Sequence, residues 1–193
     1  MTTQKRTLGD IRLLIFDLDG TLIDSKKDLV LSVNAVREWM KLKPLPADVV
    51  SSYVGRGVTV LMRRSLGDAA TEANVKKATD FFLEYYRKHM LDNTVLYDGV
   101  LEALDELHGR EMTVLTNKPV VFSRAILNGL GVDHFFSFVY GGNSFAQKKP
   151  DPIGVFKLMR DLRAGPDETM IVGDSDTDVL TGRNAGVWTC GVT

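Results

Sequence analysis

Residues Leu13-Leu14-Ile15-Phe16 are apolar without a break, and the chain then turns acidic at once, at Asp17-Leu18-Asp19-Gly20-Thr21. A short continuous apolar run, as opposed to an alternating one, is the pattern of a strand buried on both faces of a parallel sheet. The same succession of apolar run and polar loop returns three times. Residues 112–115 precede Thr116-Asn117-Lys118, residues 138–140 precede Gly141-Gly142-Asn143, and residues 170–172 precede Gly173-Asp174. Residues 187–190 read as a fifth strand.

Helical periodicity fills the gaps. Val100, Leu101, Leu104 and Leu107 mark one face of a helix ending near Gly109. Val121, Ala125 and residues 127–130 mark a second, and Val155, Phe156, Met159 and Leu162 a third. Strands alternating with helices of this length predict an open parallel α/β sheet. From Ser25 to Val95 the pattern becomes helix after helix with no strand. Asp24 or Ser25 can cap a helix that carries Leu29, Val30, Val33, Val36 and Met40 inward, and Pro44 and Pro46 break it. A helix bearing Val60 and Leu61 follows Gly55 and Gly57, and a longer one carries Val75, Ala78, Phe82, Tyr85, Tyr86 and Met90. The expected organisation is therefore an α/β core from residues 1–24 and 96–193, with an all-helical insertion at 25–95. Trp39 and the aromatics at 81–86 sit at helical spacing and read as core of that insertion.

Composition narrows the function classes without choosing one. The 193 residues are 44% hydrophobic, enough for a real core, and 24 basic against 25 acidic side chains leave a formal charge of −1. No bulk attraction to nucleic acid or to an anionic membrane follows. The single cysteine, Cys190, allows no intrachain disulfide and reads as a small buried residue at a strand end. The run at 13–16 is too short for a leader or a membrane span. A reducing, cytoplasmic setting is expected, with no membrane partner.

The four polar loops all follow strand ends, and in open α/β sheets ligands bind outside the carboxyl ends of the strands. Asp17 and Asp19 stand at one of these ends, and Asp174, Asp176 and Asp178 crowd another. Carboxylates brought together repel one another unless a cation neutralises them or some take up protons. An oxygen-only set with no nearby His or Cys favours a hard ion, and Mg²⁺ suits a site that also holds phosphate. The plainer account, in which each Asp caps a helix, serves for any one of them and poorly for both clusters together. Gly20 and Thr21 open the backbone to an anion, Thr116 adds a hydroxyl, and Lys149, before Pro150, adds a point charge. These are the parts of a phosphoryl-transfer site.

At Asp17-Leu18-Asp19-Gly20-Thr21, Thr116, Lys149 and Gly173-Asp174-Ser175-Asp176-Thr177-Asp178 the chain resembles the haloacid dehalogenase superfamily, in order and over nearly its full length. The branch it looks like is the phosphatases with a helical cap after the first strand. The resemblance implies a Rossmann-like core, Mg²⁺, and hydrolysis of a small phosphorylated metabolite by a monomer or homodimer. It implies that Asp17 is the nucleophile and Asp19 the general acid and base. Thr116, Asn117, Lys149 and Gly20 would hold phosphate, and Asp17, Asp19 (through its carbonyl), Asp174 and Asp178 the metal. Asp176 would only cap a helix. Asp19 argues against the dehalogenases, which lack an acid there, and neither Lys41 nor Lys43 has the context of a phosphonate-cleaving lysine.

Within that branch, residues 17–25, Val54-Gly55-Arg56-Gly57, Leu115-Thr116-Asn117-Lys118 and Lys149-Pro150-Asp151-Pro152 look most like the phosphoglycolate phosphatase group. That likeness implies 2-phosphoglycolate as substrate and makes Arg56 the reader of its carboxylate. Sugar phosphates and pyrophosphate are the alternative substrates, and a non-catalytic binding protein the alternative class. Relatives of this kind continue past Thr193 with another strand and helix, so either a tail is missing here or the sheet is shortened and one edge is less protected.

Overall fold

The apolar run at 13–16 is the central strand of a parallel sheet, as its unbroken burial predicts. The computed structural model describes residues 8–193. In chain order the elements are β1 (Leu13–Phe16), β2 (Ile23–Asp24), α1 (Lys26–Trp39), α2 (Ala47–Ser51), α3 (Val58–Leu66), α4 (Glu72–His89), β3 (Val95–Leu96), α5 (Val100–Glu106), β4 (Glu111–Leu115), α6 (Val120–Gly129), β5 (Phe138–Tyr140), α7 (Ile153–Leu162), β6 (Thr169–Gly173), α8 (Asp176–Ala185) and β7 (Trp188–Gly191), with short 3-10 turns between some of them. The five-stranded sheet has the order β5-β4-β1-β6-β7, with every pairing parallel.

Alternation along β1 decides which helices cover which face. Leu14 and Phe16 join a cluster with Met112, Val114, Leu104 of α5, and Phe122, Ile126 and Leu127 of α6. Leu13 and Ile15 point the other way, into Leu115, Ile171, Val155 and Leu158 of α7 and Ala185 of α8. Successive strand side chains face opposite sides, so each layer receives its own helices. Burying both sets removes several large aliphatic side chains from water, each worth about 1.5–3 kcal/mol before entropy is counted.

Helices α1 to α4 lie between β2 and β3, a two-residue antiparallel ribbon pairing Ile23 with Leu96 and Asp24 with Val95. Both chain crossings between core and helical insertion thus run side by side. Asp28, buried in the first turn of α1, accepts hydrogen bonds from Asn93 N and Nδ2 and from Thr94 N and Oγ1, at 2.7–2.9 Å. The returning segment is tied to the outgoing helix. The apolar cluster of the insertion, with Leu29, Val33, Val36, Leu61, Met62, Val75, Ala78, Phe82 and Tyr86, runs on into that of the core.

Several expectations change. The ribbon and the five-residue α2 carry too few residues for a periodic signal, and the sequence reading assigns neither. Ser25 occupies the N-cap position of α1 without capping it, because its hydroxyl donates to Asp19. Asp24 Oδ1 instead accepts the Lys26 amide. Cys190 is exposed, because β7 is an outer strand and its side chain faces an open groove shared with Val172 and Leu14.

Candidate functional site

Register brings the polar loops to one edge. Phe16 aligns with Val114 and with Val172, and Leu115 with Tyr140, so the chain leaves β1, β4 and β6 at one level. The Asp17 amide donates to Val172 O at 2.9 Å and the Thr116 amide to Tyr140 O at 3.0 Å. These ladder bonds hold the side chains that follow.

Asp17 is buried, and Lys149 Nζ lies 2.9 Å from its Oδ1 and 2.6 Å from Asp178 Oδ1. Burial is the largest influence on Asp17 and raises its carboxyl from 3.8 to about 6; the charge of Asp178 adds to the rise and Lys149 opposes it. Burial alone would pull Lys149 down, but the two carboxylates outweigh it and hold the ammonium above its ordinary value. Asp178 is aimed by a capping box at the start of α8. Its Oδ2 accepts Ser175 N at 3.2 Å and Ser175 Oγ at 2.5 Å. Ser175 and Asp178 thus do the capping expected of Asp176, which is exposed.

One carboxylate oxygen each from Asp17, Asp174 and Asp178 lie within 4.8 Å of one another, the only such grouping of possible metal ligands among the described residues. Oδ1 of Asp17 is buried without a well-aligned hydrogen bond. Three converging carboxylate oxygens fit a hard divalent cation of the Mg²⁺ kind. Gly20 lets Asp174 come this close. Its φ is +87°, and a Cβ there would lie 2.2 Å from Asp174 Oδ2. Thr21 Oγ1 donates to Asp174 Oδ1 at 3.1 Å.

The Gly20 amide, expected to face an anion, donates instead to Ile23 O at 3.0 Å, because residues 18–23 fold into a tight turn around the Leu18 carbonyl. The carboxylate of Asp19 stands apart from the three-carboxylate group. Its Oδ1 accepts Ser25 Oγ at 2.5 Å and Lys118 Nζ at 2.7 Å. Thr116 is buried, its Oγ1 accepting the Lys118 amide at 3.2 Å. The Asn117 side chain faces two carbonyls, Gly55 O at 2.9 Å and Lys149 O at 3.0 Å, and so straps the insertion to the lysine loop. Arg56 is more than half exposed, with its guanidinium 3.9 Å from Asp176.

Beside Asp17 and Asp19 lies a pocket of about 50 Å³, lined by core residues 116–119 and Phe122 on one side and by Val54, Val58, Leu61, Phe82 and Tyr86 of the insertion on the other. Arg56 does not line it; Lys118 and Tyr86 do. Lys118 is buried, and its ammonium sits 4.8 Å from the centre of the Tyr86 ring. Burial by itself would depress Lys118, but Asp19 and Tyr86 outweigh it and raise the group. Sequence reasoning missed both residues. The place of Lys118 as the third residue of Thr116-Asn117-Lys118 was the available signal, whereas the role of Tyr86 was hidden in a helical apolar pattern.

The haloacid dehalogenase-like hydrolase family model matches residues 14–192. A phosphoglycolate phosphatase of Colwellia psychrerythraea is 36% identical over 194 residues, covering 96% of this chain and 86% of the relative. One of Aquifex aeolicus is 36% identical over 186 residues, covering 93% and 83%. Among solved structures, a predicted phosphoglycolate phosphatase from Haemophilus somnus superposes with a TM-score of 0.91 at 32% identity, covering 96% of this chain and 86% of the other. With catalytic-type carboxylates at the strand ends and a matching model over nearly its whole length, the chain belongs to the haloacid dehalogenase-like hydrolases.

Proposed function

We propose that this hydrolase is a Mg²⁺-dependent phosphomonoesterase that works through an aspartyl-phosphate on Asp17, with 2-phosphoglycolate as its substrate. The observation that carries the reading is the buried Asp17 carboxylate, flanked by Lys149 and the two other cluster carboxylates, with Asp19 two residues on in the lining of a small pocket. Mg²⁺ bound by Asp17, Asp174, Asp178 and the Asp19 carbonyl would supply positive charge against the phosphoryl oxygens.

Lys149 orients Asp17 and screens its charge from the incoming phosphate. Asp17 then attacks phosphorus as the bond to the ester oxygen breaks, and Asp19 delivers a proton to the departing alkoxide. The ionised Asp19 next takes a proton from water, which attacks the acyl phosphate and regenerates Asp17. Thr116 offers its hydroxyl to the transferred group. The insertion at 25–95 acts as the cap, excluding bulk water while Asn117 and the Gly55 carbonyl hold it down.

The substrate assignment rests on likeness: relatives at 36% identity carry the phosphoglycolate phosphatase name. Among the described residues no helix is long and apolar enough to cross a membrane. The test is phosphate release from 2-phosphoglycolate, sugar phosphates and pyrophosphate, with and without Mg²⁺. Metal-dependent release led by 2-phosphoglycolate is expected. Release led by another compound would discard the substrate, and silence from folded protein would discard the enzyme reading.

A further inference from the structure

We propose that Lys118 and Tyr86 form an anion-reading subsite of the cavity and that they, in place of Arg56, recognise the carboxylate of the substrate's leaving group. The inference rests on the phosphomonoesterase reading above and deepens it. Two observations carry it. The Tyr86 hydroxyl is buried and faces the Lys118 ammonium, which can only donate, so its own O–H has no acceptor. Lys118 is a buried ammonium with three donors, of which Asp19 Oδ1 takes one at 2.7 Å and the Tyr86 oxygen faces a second.

Both groups line the cavity beside Asp19, the residue that would face the ester oxygen. The other cap side chains that line it, Val58, Leu61 and Phe82 among them, are apolar and offer these donors no acceptor. A buried unsatisfied donor costs about 1–3 kcal/mol, so a ligand that brings an acceptor is favoured over one that brings only carbon. An anionic acceptor gains more, because charge-assisted hydrogen bonds are roughly twice as strong as neutral ones and act here out of water. A phosphate bound at Asp17 projects its leaving group past Asp19. A carboxylate two atoms from the ester oxygen comes within reach of the ammonium and the phenol together.

The position of Tyr86 adds a consequence. It belongs to α4 of the cap, whereas Lys118 belongs to the core loop after β4. The two donors share one anion only when the cap is closed, so the carboxylate itself favours closure.

The test compares 2-phosphoglycolate with 2-hydroxyethyl phosphate, which keeps the size and loses the charge, in wild-type protein and in Tyr86→Phe. Phe keeps the ring contacts with Phe82 and Phe122, so the variant should fold. Wild type is expected to prefer 2-phosphoglycolate in kcat/KM, and Tyr86→Phe to shrink that preference ~10-fold, mainly through KM, the size of one charge-assisted hydrogen bond. An unchanged ratio overturns the subsite while leaving the phosphatase intact. Should wild type turn over neither compound, the functional reading fails, and affinity alone decides the subsite. In that event, calorimetric binding of 2-phosphoglycolate to Asp17→Asn that weakens ~10-fold in Asp17→Asn/Tyr86→Phe supports it, and equal affinity overturns it.

Discussion

Asp17→Asn should make the metal-free protein more stable even as it removes the proposed nucleophile. Burial, with help from Asp178 and against the pull of Lys149, lifts the Asp17 carboxyl from 3.8 to about 6. A group that holds its proton more tightly in the fold than in the unfolded chain weakens the fold when it ionises. Stability attributable to Asp17 is therefore undiminished below about pH 4, falls as pH rises towards 6, and stays reduced above it. Two units at 1.36 kcal/mol each amount to about 3 kcal/mol at pH 8. Asn resembles the protonated carboxyl in shape and escapes that penalty, and Lys149 keeps Asp178 at 2.6 Å as a partner.

In a chelator, the variant should gain up to about 3 kcal/mol at pH 8, or roughly 6–12 °C in Tm for a chain of this size. The gain should shrink below about 1 kcal/mol at pH 4, where the folded carboxyl keeps its proton and the unfolded one is only about half ionised. Paired thermal and urea unfolding of wild type and variant at the two pH values measures it. A variant less stable than wild type at pH 8 would refute the argument. A gain of equal size at both pH values would trace it to packing and refute the electrostatic cause.

Gly20→Ala should abolish phosphate release and lower the Tm, since its φ is +87° and the new Cβ would meet Asp174 Oδ2 at 2.2 Å; retained Mg²⁺-dependent turnover would contradict the close approach. Asn117→Ala breaks the strap to Gly55 O and Lys149 O. It should raise KM roughly 10-fold, as expected for two lost neutral hydrogen bonds, and speed amide exchange at residues 54–58, and unchanged exchange there would count against a cap strap. Asp28→Ala should cost at least about 3 kcal/mol in urea unfolding, because it strands the Asn93 and Thr94 donors. Burial would raise the Asp28 carboxyl, yet those hydrogen bonds hold it below its ordinary value. Its contribution is thus present above about pH 4 and is lost as pH falls further, and a destabilisation that grew on acidification would oppose this.

The core was legible because one period dominates each of its elements. Residues 13–16 could only be a doubly buried strand, and the loops after three such runs had to share an edge once the strands were parallel. Asp17 and Asp174 were legible for the same reason, following directly on β1 and β6, whereas Asp178 and Lys149 were legible from their motifs and are placed by the capping box of α8 and by the loop before α7. What the sequence hid depends on contacts between distant segments. Asn117 reads as one more polar loop residue until Gly55, 62 positions earlier, is folded against it. Tyr86 follows the same apolar stripe as Phe82 and Val75, and only the docking of α4 on the loop after β4 gives its hydroxyl a cavity. The Gly20 amide was misjudged because turn closure depends on the carbonyl of Ile23, which carries no side-chain signature.

The charges in the site set an order of events. Lys149 pairs with Asp17 and Asp178, Lys118 pairs with Asp19, and Asp174 lies within 4.8 Å of the first two carboxylates without a lysine of its own. With every group ionised, four carboxylates against two ammonium groups leave two negative charges, and repulsion between the buried carboxylates is weakly screened. A phosphate dianion approaching that site meets like charge, and neither lysine is free to turn towards it without uncovering a carboxylate. One divalent cation held by the three carboxylates would cancel the excess and let the phosphate approach. Inorganic phosphate, the product common to every substrate considered above, should therefore bind the protein measurably in Mg²⁺ and at least 10-fold more weakly in a chelator, by calorimetry at pH 8. Asp174→Asn, which removes one of the two excess charges, should narrow that difference from the chelator side. Phosphate affinity indifferent to Mg²⁺ would show that Lys149 and Thr116 suffice, and would break the link between the carboxylate cluster and the anion.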